Sequence, residues 1–218
     1  MPMLIAVVYH LLRMRSIGAK VEKDSSWSGG MKATLKKPAL LSILCAAAET
    51  FKKESFLLLV GHRGQESFTI EHAIAMQTAK RNFTGVKTVQ RRYSCVWELV
   101  SYFWRDTIVI GDAHSHTEFE HGNKTIFPLL PSTKDCEGAE QGDVYIIVGV
   151  SNKKKTMRWK KTTNQSLSGT LGQFRFEIKA YWSPENKKLE PIDLVCPALY
   201  RLDAYKHKLD SKTGIRYT

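Results

Sequence analysis

His114 and His116 stand two residues apart where an apolar run, Thr107 to Ile110, leads into Gly111-Asp-Ala-His-Ser-His116. On an extended backbone alternate residues share a face, so the two imidazoles point the same way. Two converging imidazoles are half of a zinc site. Alone, the pair serves equally well as a surface or hydrogen-bonding feature. Downstream, Pro131-Ser-Thr-Lys-Asp135 has the form of a helix start, with Ser132 as N-cap and Asp135 in the first turn. The same two residues offer a second chemistry. Asp135 can supply an oxygen ligand, and Ser132 can point at the same place. Three protein ligands leave a fourth position open, which is the pattern of a catalytic zinc. Such a site also needs a nearby carboxylate that is not a ligand, to take the proton of water. Glu54 is the candidate. It directly precedes Ser55-Phe-Leu-Leu-Leu-Val-Gly61, at a seam between a helix and a buried strand. A glutamate there can also be a solvated helix end, like Lys52 and Lys53 beside it.

Taken together, Glu54 to Gly61, then Gly111 to His116, then Pro131 to Asp135 resemble the signature of the JAMM/MPN+ metalloproteases. That signature is a glutamate before an apolar strand ending in glycine, then H-S-H, then S-x-x-D. The likeness spans roughly residues 35 to 182. It implies an α/β (α+β) fold, a mixed sheet flanked by helices around one zinc site. It implies one Zn2+ per chain held by His114, His116 and Asp135. Glu54 would be the general acid/base, and Ser132 a hydrogen-bond donor to the developing oxyanion. The implied activity is cleavage of isopeptide or peptide bonds after the C-terminus of a ubiquitin-like protein, whose conjugates would be the substrate. Members of the family that lose the ligands act as scaffolds, and here every ligand type is kept. The sequence departs from the pattern at Leu57, where the family has a small residue, and at Thr117, where it has proline. The segment 117–131 between His116 and Ser132 is longer than the family's. It can bind substrate, cover the site, or offer Glu118, Glu120 or His121 as substitute ligands.

These residues need elements to hold them. Pro38 suits a helix start, and Leu40, Leu44, Ala47, Ala48 and Phe51 recur at helical spacing behind it. Phe56 to Val60 reads as a buried strand, with a second over Ser67 to Ala75. Tyr93, Val96, Trp97, Val100, Phe103 and Trp104 form an aromatic-rich stripe on one face of a helix, expected to be core. Thr107 to Ile110 and Val144 to Val150 read as buried strands. Residues Phe174 to Trp182 alternate, as a half-buried strand does.

The chain has 218 residues, 43% apolar and 25% charged, an ordinary globular composition that excludes wholesale disorder and fibrous repeats. Residues 1–30 end in Asp24-Ser-Ser-Trp-Ser-Gly-Gly30 and read as an extension before Met31. A metalloprotease domain over 31–182 and a basic tail or final strand or helix over 183–218 follow. No stretch suits a membrane span, and Met3 to Leu12 has the wrong charge polarity for a secretory signal. The four cysteines form no C-x-x-C pair and read as reduced thiols, so the expected location is cytoplasmic. Lysine and arginine outnumber acids 33 to 21, a net charge of +12. Six positive residues fall within the ten of Asn152 to Lys161, around Trp159. Three readings stand for this segment: a solvated hairpin tip, a docking surface for an acidic protein substrate, or a nucleic-acid contact. The rival function is a non-catalytic MPN-like scaffold or a nucleic-acid-binding module that uses the 152–161 segment.

Overall fold

A computed structural model describes residues 30–199 apart from 83–84, 105, 118, 122–123, 127–128 and 153–154, with backbone only at 81–82, 85–87, 117, 119–121 and 124–126. The extension 1–29 and residues 200–218 of the tail lie outside the described residues. So do Lys153, Lys154, Glu118 and the side chains of Glu120 and His121.

The chain opens with β1 (Lys32–Leu35), α1 (Lys37–Glu49), β2 (Phe56–Arg63) and β3 (Ser67–Ala75). The short strands β4 (Lys80–Asn82) and β5 (Gly85–Lys87) pair as a hairpin before α2 (Gln90–Phe103) and β6 (Ile108–Thr117). A second hairpin, β7 (Phe119–His121) and β8 (Lys124–Ile126), occupies the long 117–131 segment. Then come α3 (Thr133–Gly138), β9 (Val144–Asn152), β10 (Lys160–Lys161), β11 (Leu167–Leu171), β12 (Phe174–Trp182) and β13 (Glu190–Val195). The last of these falls in the 183–218 stretch read as a tail or final element.

Nine strands join in the order β10-β11-β12-β13-β1-β3-β2-β6-β9. β9 then pairs back onto β12 along its whole length, from Phe174 opposite Asn152 to Trp182 opposite Val144. This closes β12-β13-β1-β3-β2-β6-β9 into a seven-stranded barrel, and β11 and β10 branch away from it. β12 serves both because its free edge is divided: Phe174 to Ile178 pair with β11, and Ala180 to Trp182 pair with β13.

The helix-flanked mixed sheet expected from the sequence is therefore corrected to a closed barrel with two extra strands and few helices. The alternation of β12 announced a strand with one wet face. It held no sign that both edges of that strand are paired, and the β9–β12 ladder is what closes the ring.

Inward-facing Leu35, Leu57, Leu59, Phe68, Ile70, Ile146, Val148, Phe176, Ile178 and Leu194 form one core. Leu40, Ile43, Leu44 and Ala47 of α1 join it, and the small Ala39, Ala46 and Ala47 let the helix approach closely. Each large side chain buried here contributes about 1.5–3 kcal/mol. The α2 stripe is a second correction. Val100 is its one fully buried residue, while Phe103 is 71% and Tyr102 74% exposed. Tyr93 and Val96 cover Leu58 on the barrel's outer wall, and the far end of the helix overhangs it. Among the described residues no helix is long and apolar enough to cross a membrane.

Candidate metal centre

The histidines owe their direction to a bulge in β6. Ile110 and Ala113 both face the barrel interior although they stand three positions apart. A regular strand would send residues of odd spacing to opposite faces. Opposite β2, the register slips between Leu59, paired with Gly111, and Val60, paired with Val109, so Ile110 is the extra residue. Gly111 carries φ +150°, and a Cβ there would overlap the Val144 carbonyl. After the bulge, Asp112, His114 and His116 share the outer face, opposite Tyr145, Ile147 and Gly149 of β9. Without it they would point into the core. Ser115 turns the other way and is fully buried. Its Oγ accepts a hydrogen bond from the Ser55 backbone N–H at 2.8 Å, and its own N–H donates to the Ser55 carbonyl. The residue beside Glu54 is thus fastened to the histidine strand.

Asp135 arrives on a separate piece of chain. The Ser132 Oγ accepts from the Asp135 N–H at 3.2 Å, and Asp135 Oδ2 accepts from the Ser132 N–H at 2.6 Å, a complete capping box. Tyrosine hydroxyls hold both ends of this piece. Tyr181 donates to the Leu129 carbonyl at 2.5 Å, and Tyr145 accepts from the Glu140 N–H at 2.8 Å. Leu129, Ala139, Tyr145, Ile147 and Tyr181 form a small core of their own on the outside of the barrel.

The three side chains meet. His114 Nε2 lies 3.1 Å from His116 Nε2, and 3.3 Å from Asp135 Oδ1. His116 Nε2 lies 3.5 Å from Asp135 Oδ2. A tetrahedral zinc with bonds of about 2.0–2.1 Å needs donors about 3.3 Å apart. The two histidine nitrogens lie near that spacing, each faces a different oxygen of Asp135, and one ligand atom from each of the three residues lies within 4.8 Å of the others, so the donor set suits a zinc ion in chemistry and comes near it in size. Both histidines are buried, which keeps their rings in place. Considered as side chains alone, the group is an ion-paired cluster. Burial works to lower the His114 pKa, but hydrogen bonds to Asp112 and Asp135 outweigh it and push it up to about 10. Burial would raise Asp135, yet His114, His116 and the Ser132 backbone hold its carboxyl below the usual range.

Glu54 stands between α1 and β2 and lines the same cleft of about 300 Å³ as His114, Ser132 and Asp135. Phe56, Thr88, Asp112, Lys134, Gly138 and Tyr145 complete its wall. Burial raises the Glu54 pKa, His114 and His116 oppose that rise, Asp135 adds to it, and Lys134 opposes it. A half-buried carboxylate with a raised pKa beside two imidazoles is suited to proton transfer. The Ser132 hydroxyl accepts from Asp135 in the capping box, which leaves its own proton to donate.

The basic segment lies elsewhere. Trp159 is buried, stacks on Phe176 at 6.4 Å and covers Gly169, so it is not a platform for a nucleic-acid base. Lys160 and Lys161 are exposed, and Lys161 pairs with Asp193. Sequence reasoning missed Asp112, Ser115, Tyr145 and Tyr181. Asp112 alone left a signal, since it precedes His114 by two residues and so shares its face. The tyrosines act across the fold, which local pattern does not reveal.

No family model matches the chain, and no curated protein matches it. Among solved structures, it is similar to the solution structure of protein DSY2949 from Desulfitobacterium hafniense, with TM-score 0.53 and 14% identity over 75% of this chain and 92% of that one. At that identity the likeness concerns the fold alone.

Proposed function

We propose that the protein is a zinc-dependent hydrolase of peptide or isopeptide bonds, acting after the C-terminus of a ubiquitin-like protein. One observation carries the reading: His114, His116 and Asp135 offer ligand atoms within 4.8 Å of one another, and a half-buried carboxylate that is not among them lines the same cleft as His114 and Asp135. The substrate class comes from the sequence resemblance to the JAMM/MPN+ signature. The reading rests on the site rather than on the barrel, which hosts no function by itself.

A zinc ion held by His114, His116 and Asp135 supplies Lewis acidity, acidifying water and polarising a carbonyl. Glu54 takes the water proton as the carbonyl carbon is attacked, then delivers it to the leaving amine. Ser132 donates its hydroxyl hydrogen to the oxygen on which charge develops. The capping box keeps that hydroxyl and the Asp135 carboxylate in fixed relation. Four unpaired thiols support a cytoplasmic setting for this activity.

The test is metal content and turnover on the same preparations. Wild type is expected to hold one zinc and to cut a glycine–lysine isopeptide. His114→Ala and His116→Ala lose the metal, and Asp135→Ala holds it weakly. Glu54→Gln keeps metal and fold but loses about 10²- to 10⁴-fold in rate, the usual share of a general acid/base. A Glu54→Gln variant with full activity removes Glu54 from the mechanism. A zinc-loaded wild type that hydrolyses no such bond refutes the proposed function.

A further inference from the structure

Asp112 sits one alternation before His114 on the outer face of β6, and it lines the cleft. Its Oδ1 lies 3.5 Å from His114 Nδ1. The other ring nitrogen, Nε2, faces His116 and Asp135. The two nitrogens of one buried ring thus face two different carboxylates. A neutral imidazole carries its proton on one nitrogen and a lone pair on the other. A carboxylate facing Nδ1 keeps the proton there and turns the Nε2 lone pair toward the donor cluster. The ring has little freedom to choose otherwise, since His114 is only 6% exposed and lies between Phe56 of β2 and Ile147 of β9.

From this geometry we infer that Asp112 is a positioning residue for the metal: it fixes the tautomer and orientation of His114 and strengthens that ligand, without being a ligand itself. The inference rests on the zinc site of the proposed function, though not on hydrolysis. His114 and His116 are not equivalent under it, for the structure gives this carboxylate to His114. Asp112 itself remains 24% exposed at its side chain, so it keeps contact with water while it orients a buried ring.

The experiment uses the full chain and zinc alone. Zinc affinity is measured by chelator competition for wild type, Asp112→Ala and Asp112→Asn, with circular dichroism as the fold control. Outer carboxylates of this kind contribute about 10- to 100-fold to metal affinity. Asp112→Ala is expected to weaken zinc within that range. Asp112→Asn keeps an oxygen acceptor for Nδ1–H and loses the charge, so it should fall between. Nitrogen-15 NMR of the zinc-loaded protein supplies a readout that a merely structural role would not move. His114 should be protonated at Nδ1 in wild type and Asp112→Asn, and that proton should exchange rapidly in Asp112→Ala. Should the alanine variant fail to fold, the asparagine variant carries the test through its affinity. Wild-type affinity in every folded variant overturns the inference. Complete loss of zinc in Asp112→Ala, with an altered cobalt spectrum in Asp112→Asn, makes Asp112 a ligand and also overturns it. Zinc weakened as expected without any hydrolysis defeats the proposed function and leaves Asp112's role standing. Hydrolysis that depends on Glu54, with zinc affinity unchanged by Asp112→Ala, does the reverse.

Discussion

Two pieces of chain deliver the three donors, and they are held by different means. β6 carries His114 and His116 in the barrel wall, paired with β2 on one side and β9 on the other. The segment from Leu129 to Glu140 carries Asp135 on a six-residue helix outside the wall. A small apolar cluster, a capping box and two tyrosine hydroxyls hold it there. The first piece cannot move unless the barrel opens. The second can shift while the barrel stays intact, because its supports are few and local. A candidate metal site built this way takes its rigid half from the fold and its adjustable half from a satellite. Damage to the wall should therefore destroy protein and site together, whereas damage to the satellite should loosen the metal first.

Gly111 tests the first half of that contrast and should give the largest effect. Its φ of +150° suits glycine, and any Cβ would meet the Val144 carbonyl inside the β6–β9 ladder. Gly111→Ala forces either backbone strain or loss of the bulge that aims the histidines outward. We expect a loss on the order of 3 kcal/mol in denaturant unfolding, with zinc binding lost in step. A Gly111→Ala protein of normal stability that still binds zinc would show that the wall tolerates a different register.

Tyr181 tests the second half. Tyr181→Phe leaves the Leu129 carbonyl without its buried donor, at a cost of about 1–3 kcal/mol. Zinc affinity should fall by more than stability alone explains, since the barrel persists. The same residue predicts a pH dependence. Burial pushes the Tyr181 phenol up to about 12 from an ordinary value of 10.0. The unfolded chain thus gives up this proton first as pH rises. The stabilisation is complete below about pH 10, fades as pH climbs toward about 12, and amounts to roughly 2 kcal/mol. Wild type and Tyr181→Phe should converge in stability across that window. Parallel stability curves for the two proteins would detach Tyr181 from the satellite's support.

Much of this was legible in residues. The H-x-H pair and the S-x-x-D start supplied the three residues that cluster, and with the glutamate before an apolar run they supplied Glu54, His114, Ser132 and Asp135 of the cleft, because each motif is local and each sits where a strand or helix begins or ends. Ser67 to Ala75 and Phe174 to Trp182 were found at their observed bounds; a period of two is written in Phe174 to Trp182, whereas the alternation of β3 breaks at Glu71, where its register with β2 slips. Barrel closure was not legible: it depends on a nine-residue ladder between β9 and β12, and pairing between distant strands leaves no mark in either one. The α2 stripe misled for a related reason. Periodicity tells which residues share a face, and it does not tell how far the surface beneath extends. Tyr93 and Val96 found a partner in Leu58, and Phe103 found none comparable.

The basic segment adds a third region to the comparison and predicts the smallest effect. The register sets its distance from the candidate site. Lys160 pairs with Ser168, Ser168 with Glu177, Glu177 with Gly149, and Gly149 with His116. Four strand spacings of about 4.8 Å put Lys160 about 19 Å from His116 along the sheet. That exceeds the Debye length of about 8 Å at physiological salt, so these charges leave the scissile bond untouched. They can meet only the body of a large substrate whose tail lies in the cleft. Lys155 and Lys160 are exposed, and Lys161 is engaged with Asp193, so the double change Lys155→Gln with Lys160→Gln isolates the steering charges. We expect KM for an intact conjugate to rise about two- to fivefold at low salt, with kcat unchanged, because rim charges act mainly on encounter. A short peptide with the same scissile bond should be cut as before, and raising the salt should erase the difference between wild type and variant. Equal losses on the peptide and the conjugate would mean that the charges reach the metal through the sheet, and the separation drawn from the register would no longer describe how this surface works.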